Sequence, residues 1–347
     1  MKAVQLLAHG SPGSLQLCDL PDPIPAADEV RVRVRACGLN RLDLWCEAGS
    51  LPIPIALPRT PGGEVAGEID ALGIDVDQWR VGDRVAVQSN IFCGACEFCL
   101  QGQESICLKS QLLGVQRDGG FAEKVVVPAR ALLALPAGVD ELTSAALTLA
   151  GSTAMHMLTD RSEVKSGDWV LVIGASSGVG SAAIQIARQL GARVIATASS
   201  DAKRALALKL GAEFVVDSTE TDWPAQVRQL TQKRGVDLVV EHVGGDVLSK
   251  VFQCLARGGA VVTCGATAGR QTAFDLWPFF VKQQRLIGSY GRNHADASAT
   301  LEWAADGRLK PVIDRVFPLA QFAEAYSALR DRRVLGKVLA AMWTIEL

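Results

Sequence analysis

Trp169-Val170-Leu171-Val172-Ile173-Gly174-Ala175-Ser176-Ser177-Gly178-Val179-Gly180-Ser181-Ala182-Ala183-Ile184 is the stretch on which the reading of this chain turns. Five apolar residues of strand character run into a glycine-rich turn, and small residues then open a helix. Glycines let the backbone turn tightly and approach a ligand. The unsatisfied N–H groups at the helix start favour the charge of a pyrophosphate. Gly174, Ala175, Ser176, Ser177, Gly178, Val179 and Gly180 are therefore expected to cradle a dinucleotide. A glycine motif alone is weak; its position after a strand, before a helix and inside a βαβ unit gives it weight.

Working outward, strand-like and helix-like runs alternate. Strands are expected at Trp169 to Ile173, Arg193 to Ala198, Glu213 to Asp217, Asp237 to Glu241, Gly259 to Cys264 and Arg285 to Tyr290. Helices are expected at Gly178 to Leu190, Asp201 to Leu210 and Trp223 to Lys233. That alternation argues an α/β fold with a doubly wound parallel sheet. The stretch before it reads as short β-strands broken by Gly and Pro. Glu29 to Arg35 alternates valine with charge, and Glu64 to Leu72, Arg84 to Gln88 and Phe121 to Val127 follow. The tail returns to helices at Ala295 to Asp306 and Leu319 to Arg332, with a last strand at Gly336 to Trp343.

A carboxylate at the end of the second strand would bind the ribose hydroxyls of NADH and repel a 2′-phosphate. This chain has Ala198-Ser199-Ser200 there, followed by Lys203 and Arg204, so NADPH is favoured over NADH. Lys203 and Arg204 also suit a solvated helix face. Strand ends at Gly265-Ala266-Thr267 and Ser289-Tyr290-Gly291 should flank the nicotinamide.

Cys93, Cys96, Cys99 and Cys107 are spaced for one tetrahedral Zn²⁺ in a closed, structural site. Two disulfides or four free thiols are the competing readings, and Lys2-Ala3-Val4-Gln5 after Met1 resembles a strand rather than a secretory signal. The chain has 347 residues, 49% of them hydrophobic, and a formal charge of −2, which offers no basic surface for nucleic acid or anionic membrane. The expectation is a cytoplasmic protein of two domains.

At this point the chain resembles the medium-chain dehydrogenase/reductase superfamily, which includes zinc alcohol dehydrogenases and quinone oxidoreductases. The resemblance implies a GroES-like β-rich catalytic domain, residues 1–135 and 290–347 with a zinc lobe at 90–110, and a Rossmann domain, residues 136–289. The family signature stands here as Gly62-Gly63-Glu64, Gly67, Gly73 and Val76, with Gly63 in the place of a zinc-binding histidine. Asn40 and Leu149 fall where two further catalytic-zinc ligands stand in the alcohol dehydrogenase branch, and Leu42 where a proton-relaying Ser or Thr stands. Cys37, Cys46 and His156 are the residues a rebuilt metal site would have to recruit.

Ala36-Cys37-Gly38-Leu39-Asn40-Arg41-Leu42-Asp43 is instead similar to the quinone oxidoreductase branch. That likeness implies an NADPH-dependent reductase of quinones or α,β-unsaturated carbonyls working without a catalytic metal. Asn40 and Asp43 would serve the reaction centre, Arg41 the pyrophosphate and Thr153 the cofactor. Asn40 also suits a loop-capping role, and Arg41 and Asp43 the surface. Trp45, Trp277, Phe279 and Phe280 are candidates for an apolar substrate cleft, or for core or subunit contacts. A zinc alcohol dehydrogenase with recruited ligands and a non-enzymatic NADPH-binding protein remain alternatives. Family analogy implies a homodimer or homotetramer joined through the last strand of the cofactor domain.

Overall fold

Every neighbouring pair in the sheet that holds Trp169–Val172 is parallel. Its strand order is Phe214–Asp217, Arg193–Ala198, Trp169–Val172, Val236–Glu241, Leu255–Thr263 and Arg285–Gly288. Sequence order thus runs outward from Trp169–Val172 in one direction and then resumes beside it in the other. This is the doubly wound arrangement, with its switch point at the carboxyl end of Trp169–Val172. Leu171, Ile195, Val239 and Val261 lie fully buried within it, as strands covered on both faces must be.

The computed structural model describes residues 1–342, and the chain divides into two compact units. The first comprises Met1–Leu149, Arg292–Gly307 and the chain from Pro311; the second comprises Ala150–Gly291 with Arg308–Lys310. The crossing thus falls at Leu149 rather than at residue 135. Helix Glu141–Leu147 is the reason: Ala145 and Ala146 pack on Ala36, Ala66 and Leu339 of the first unit.

A seven-stranded sheet carries the first unit, in the order Ile313–Pro318, Lys337–Ala341, Glu29–Gly38, Glu64–Leu72, Arg84–Val87 and Leu132–Ala134, with Lys124–Pro128 also paired to Glu29–Gly38. Val30, Val32 and Val34 face the core and Arg33 is exposed, as the alternation predicts. Some elements differ from expectation, among them the strand expected from Phe121, which begins at Lys124. The strand expected at Gly259 begins at Leu255. Helix Trp223–Leu230 ends early because Gln232 and Lys233 take left-handed backbone angles. Leu319–Gln321 is a short 3₁₀ turn ahead of helix Phe322–Arg330. Trp343 lies outside the described residues. Among the described residues, no helix is long and apolar enough to cross a membrane.

Candidate functional site

In the second unit, the turn after Trp169–Val172 is built as its glycines require. Gly174 has φ 65°, and a Cβ on Gly180 would stand 2.3 Å from the Gly174 carbonyl oxygen, so only glycine lets the helix start this close to the strand. Ser177 is the N-cap of helix Gly178–Gln189, its Oγ accepting from Gly180 N at 2.8 Å. The turn is tied to the next strand by Ala175 N donating to Thr197 O (3.0 Å) and Gly174 N to Thr197 Oγ1 (3.3 Å).

His242, which sequence reading missed, lies against this turn. Its Nε2 is 3.2 Å from Ser177 Oγ, and a Cβ on Gly174 would approach its Cε1 to 3.1 Å. Burial pulls its pKa below the usual histidine value, opposed by Glu241. Glu241 is itself fully buried and organises the neighbouring strand ends. It accepts from Val243 N, from Gly244 N (2.7 Å) and from Thr263 Oγ1 (2.7 Å).

Gly265 and Ala266 sit in the loop packed on that segment, Ala268 N donating to Val243 O at 2.7 Å. Ser289 follows the last strand, its N donating to Thr263 O at 2.8 Å, and its buried Oγ has no partner among the described residues. An orphaned buried hydroxyl at one strand's carboxyl end and a glycine-lined helix start at the same edge of the sheet are groups that a dinucleotide satisfies. Thr153 lies on helix Ala150–Met155, which packs on the helix that the turn opens.

Ser199 and Ser200 are exposed, with Ser200 capping helix Asp201–Leu210 through Lys203 N. Arg204 is not a free cation: it pairs with Asp201 and with Asp217, which stands in register with Ala198. Of the aromatic candidates, Phe279 belongs to the core against Phe252 and Phe274, whereas Trp277 and Phe280 are exposed.

In the first unit, Asn40, Arg41 and Asp43 come together at the start of helix Arg41–Ala48. Sheet register places Gly38 opposite both Glu64 and Leu339, so the ends of three strands converge here. A Cβ on Gly38 would lie 2.7 Å from Glu64 Oε2 and 2.2 Å from Ala145 O, so glycine admits both the carboxylate and the helix. Lys337, also absent from the sequence reading, completes the site. Its Nζ lies 2.6 Å from Glu64 Oε2 and donates to Asn40 Oδ1 and to Leu39 O, each at 2.7 Å. Asn40 Nδ2 donates to Glu64 Oε2 (3.0 Å) and Gly38 O (3.1 Å), and Leu149 N donates to Glu64 Oε1 (2.6 Å). A lone lysine opening an apolar strand, Lys337-Val338-Leu339-Ala340-Ala341, was the signal available.

Asp43 is buried, and its Oδ2 accepts from Asn40 N at 2.7 Å. Burial raises its pKa to about 7 despite that bond and the nearby Lys337 charge. Arg41 is half-buried beside Arg332; burial first, then the like charge, pulls its pKa down.

The four lobe cysteines lie between the paired strands Asn90–Ile91 and Gln111–Leu112. Their four Sγ atoms all fall within 4.8 Å of one another, with Cys96 at 3.5 Å from Cys99 and at 3.9 Å from Cys107, and Cys93 at 3.9 Å from Cys99. A tetrahedron with Zn–S arms of ~2.3 Å has edges of ~3.8 Å, so these residues fit the ion. Backbone N–H groups of Ala95 and Cys96 point at Cys93 Sγ, which suits a thiolate. Cys99 is pushed up to about 12 by burial, so the cluster needs a cation to hold four thiolates. Among the described residues this is the only group of three or more metal-ligating side chains.

A catalytic metal does not fit the first-unit site. Gly63 has no donor: a Cβ there would meet Leu113 O at 3.0 Å and Leu149 Cδ1 at 3.8 Å. Glu64 is held by Lys337, Asn40 and the Leu149 amide. Cys46 Sγ points to Gly114 O at 3.6 Å, Cys37 is fully buried with its thiol pKa raised by that burial, and His156 Nδ1 stands 3.5 Å from Asp160 Oδ1.

Comparison with known proteins agrees with both units. The alcohol dehydrogenase GroES-like domain family matches residues 26–137 and the zinc-binding dehydrogenase family matches residues 178–306. A solved NAD-dependent alcohol dehydrogenase is 38% identical, with a TM-score of 0.93 over 99% of this chain and 100% of its own. A 2-octenoyl-CoA carboxylase reductase, solved with NADP and 2-octenoyl-CoA, is 30% identical, with a TM-score of 0.89 over 98% of this chain and 87% of its own. An alcohol dehydrogenase of Schizosaccharomyces pombe is 29% identical over 95% of each chain. The chain belongs to the medium-chain dehydrogenase/reductases, in their zinc-type alcohol dehydrogenase-like group, and is an oxidoreductase of that type.

Proposed function

We propose that this protein is an NADPH-dependent reductase that delivers hydride to a quinone or an α,β-unsaturated carbonyl compound without a catalytic metal. One observation carries the reading: an ammonium, Lys337, is bonded to Glu64, at the end where, by the resemblance, Asn40, Gly63 and Leu149 stand in the places of three metal ligands. Enones and quinones need less electrophilic help than simple ketones, because arriving charge delocalises into an enolate or hydroquinone.

A bound dihydronicotinamide supplies the hydride. The Gly174–Gly180 turn would hold the pyrophosphate, and Ser289 Oγ would bond the cofactor. Ser199, Ser200 and Lys203 would accept the 2′-phosphate. Arg204 contributes only by leaving Asp217. No carboxylate ends strand Arg193–Ala198, which favours NADPH over NADH. The 30% identical reductase, solved with NADP and an α,β-unsaturated thioester, supports both parts of the reading. Protons would come from water.

A second reading, a zinc alcohol dehydrogenase, is favoured by the 38% identical NAD-dependent alcohol dehydrogenase. One zinc per chain with chelator-insensitive reduction of enones or quinones by NADPH supports the first reading. Two zincs, or chelator-sensitive alcohol oxidation, would replace it with the second. Tight NADPH binding with no turnover on any acceptor would leave a non-enzymatic binding protein.

We further propose a homodimer through strand Arg285–Gly288, which among the described residues has a partner on one side only and carries exposed Leu286, shortly after exposed Phe280 and Val281 in the chain. Light scattering should give twice the chain mass for the wild type and the single-chain mass for Leu286→Lys.

A further inference from the structure

We propose that a cavity of about 260 Å³ in the first unit binds a small organic ammonium ion, with its –NH₃⁺ head on His294 and Glu302 and an apolar body behind it. The cavity lies between helix His294–Ala305, strand Leu132–Ala134 and the loop that bears Trp79, all of them parts of that one unit. Buried Leu132, Leu133 and Leu301 supply its apolar lining. Trp79 Nε1 is already spent on Ala129 O at 3.1 Å, so the indole offers a ligand only its π system.

His294 selects the ligand, and its proton is set by a relay of neighbours. Gln88 is fully buried, and its Nε2 donates to Arg292 O at 3.3 Å. Turning that amide over would set two oxygens face to face, so its orientation is fixed. Gln88 Oε1 then stands 3.2 Å from His294 Nδ1, which must carry the hydrogen and donate it. Burial draws the His294 pKa below the usual histidine value, opposed by Glu104, so the ring is neutral. His294 Nε2 is therefore an acceptor. Among the described residues nothing donates to it.

Glu302 lines the same cavity and has no pairing cation among the described residues, and no lysine or arginine is in the lining. An acceptor nitrogen, a carboxylate and an indole with no cation beside them repel an anion and reward an N–H group that carries positive charge. A purely apolar molecule would leave the His294 nitrogen without a donor. At about 30 Å³ for each water-sized group, the volume suits roughly nine heavy atoms, one ring with a short chain. Binding here needs no turnover, so it stands apart from the proposed reduction of enones or quinones.

The test uses three molecules that share a phenylethyl body and differ in the head: 2-phenylethylamine, 2-phenylethanol and 3-phenylpropionate. Dissociation constants are taken by calorimetry on the full-length, zinc-loaded protein. The wild type should bind the amine at least about tenfold more tightly than the alcohol, and the carboxylate most weakly. Glu302→Gln, at an exposed position, should bring the amine-to-alcohol ratio to within about threefold. His294→Leu should weaken amine and alcohol together, since both lose the same acceptor. Glu220→Gln removes an exposed carboxylate from the second unit and should leave the ratio as it is in the wild type. No binding of the amine, equal binding of amine and alcohol, a ratio that survives Glu302→Gln, or an equal fall in Glu220→Gln would each overturn the site. Glu302→Gln decides the matter by itself if His294→Leu folds poorly.

Discussion

Lys337 Nζ and Glu64 Oε2 stand 2.6 Å apart in the interior of the first unit, an ammonium and a carboxylate far apart along the chain and joined by one sheet register. A buried pair of this kind stabilises little compared with an apolar replacement, but removing one partner strands the other's charge. Lys337→Met should therefore cost about 3 kcal/mol or more in urea unfolding. The double change Lys337→Met with Glu64→Gln should recover a large part of that loss. Equal losses in the single and double variants would show that the pair is not coupled.

Asp43 makes stability depend on pH in an uncommon direction. Its folded pKa, about 7, lies above the ordinary 3.8, so the native state keeps a proton that the unfolded chain releases. The contribution is complete below pH 4 and lost as the pH climbs to 7, with a ceiling of about 4 kcal/mol. Asp43→Asn has no such titration. The stability of the wild type relative to this variant should fall between pH 4 and 7, and a flat difference would place the titration elsewhere.

Zinc removal should loosen the Cys93–Cys107 lobe without unfolding either sheet. Metal analysis should find one zinc per chain in the wild type and none in Cys96→Ser. Amide exchange across residues 93–109 should accelerate in the stripped protein, because those backbone N–H groups then point at thiols free to move. Unchanged exchange there would argue against a metal-held lobe.

Tyr326 packs edge-to-face on Phe121, ring centroids 5.9 Å apart, and its buried Oη has no hydrogen-bond partner among the described residues. Removing that hydroxyl removes a desolvated polar atom while keeping the ring. Tyr326→Phe should be neutral or more stable by up to about 1 kcal/mol in urea melts. A clear loss would reveal a partner for the hydroxyl.

Much of this was legible along the chain. The glycine turn and its flanking strand and helix are contiguous, so their backbone demands show in consecutive residues. The four cysteines lie within fifteen positions, and alternation at Glu29 to Arg35 marked one buried face. Asn40, Gly63 and Leu149 also spoke through their types, since none supplies sulfur or imidazole.

Other features had no local signal. Phe279 suited a cleft or the core equally along the chain, and it packs partly buried against the core, because a run of aromatics does not say which ring turns inward. Arg204 was read as a nearby cation and proved to be held by Asp217, a residue of the adjacent strand. His242 reaches Ser177 only because two parallel strands end side by side.

The identity of the donors and acceptors was written in the order of residues; how each was oriented was not. Side-chain chemistry and local backbone geometry are properties of short segments, and they determined the doubly wound sheet, the dinucleotide turn and the thiolate cluster. Only tertiary structure decided that Lys337 would meet Glu64 and turn the Asn40 amide, since a buried charge chooses its partner through register across a sheet rather than through distance along the chain.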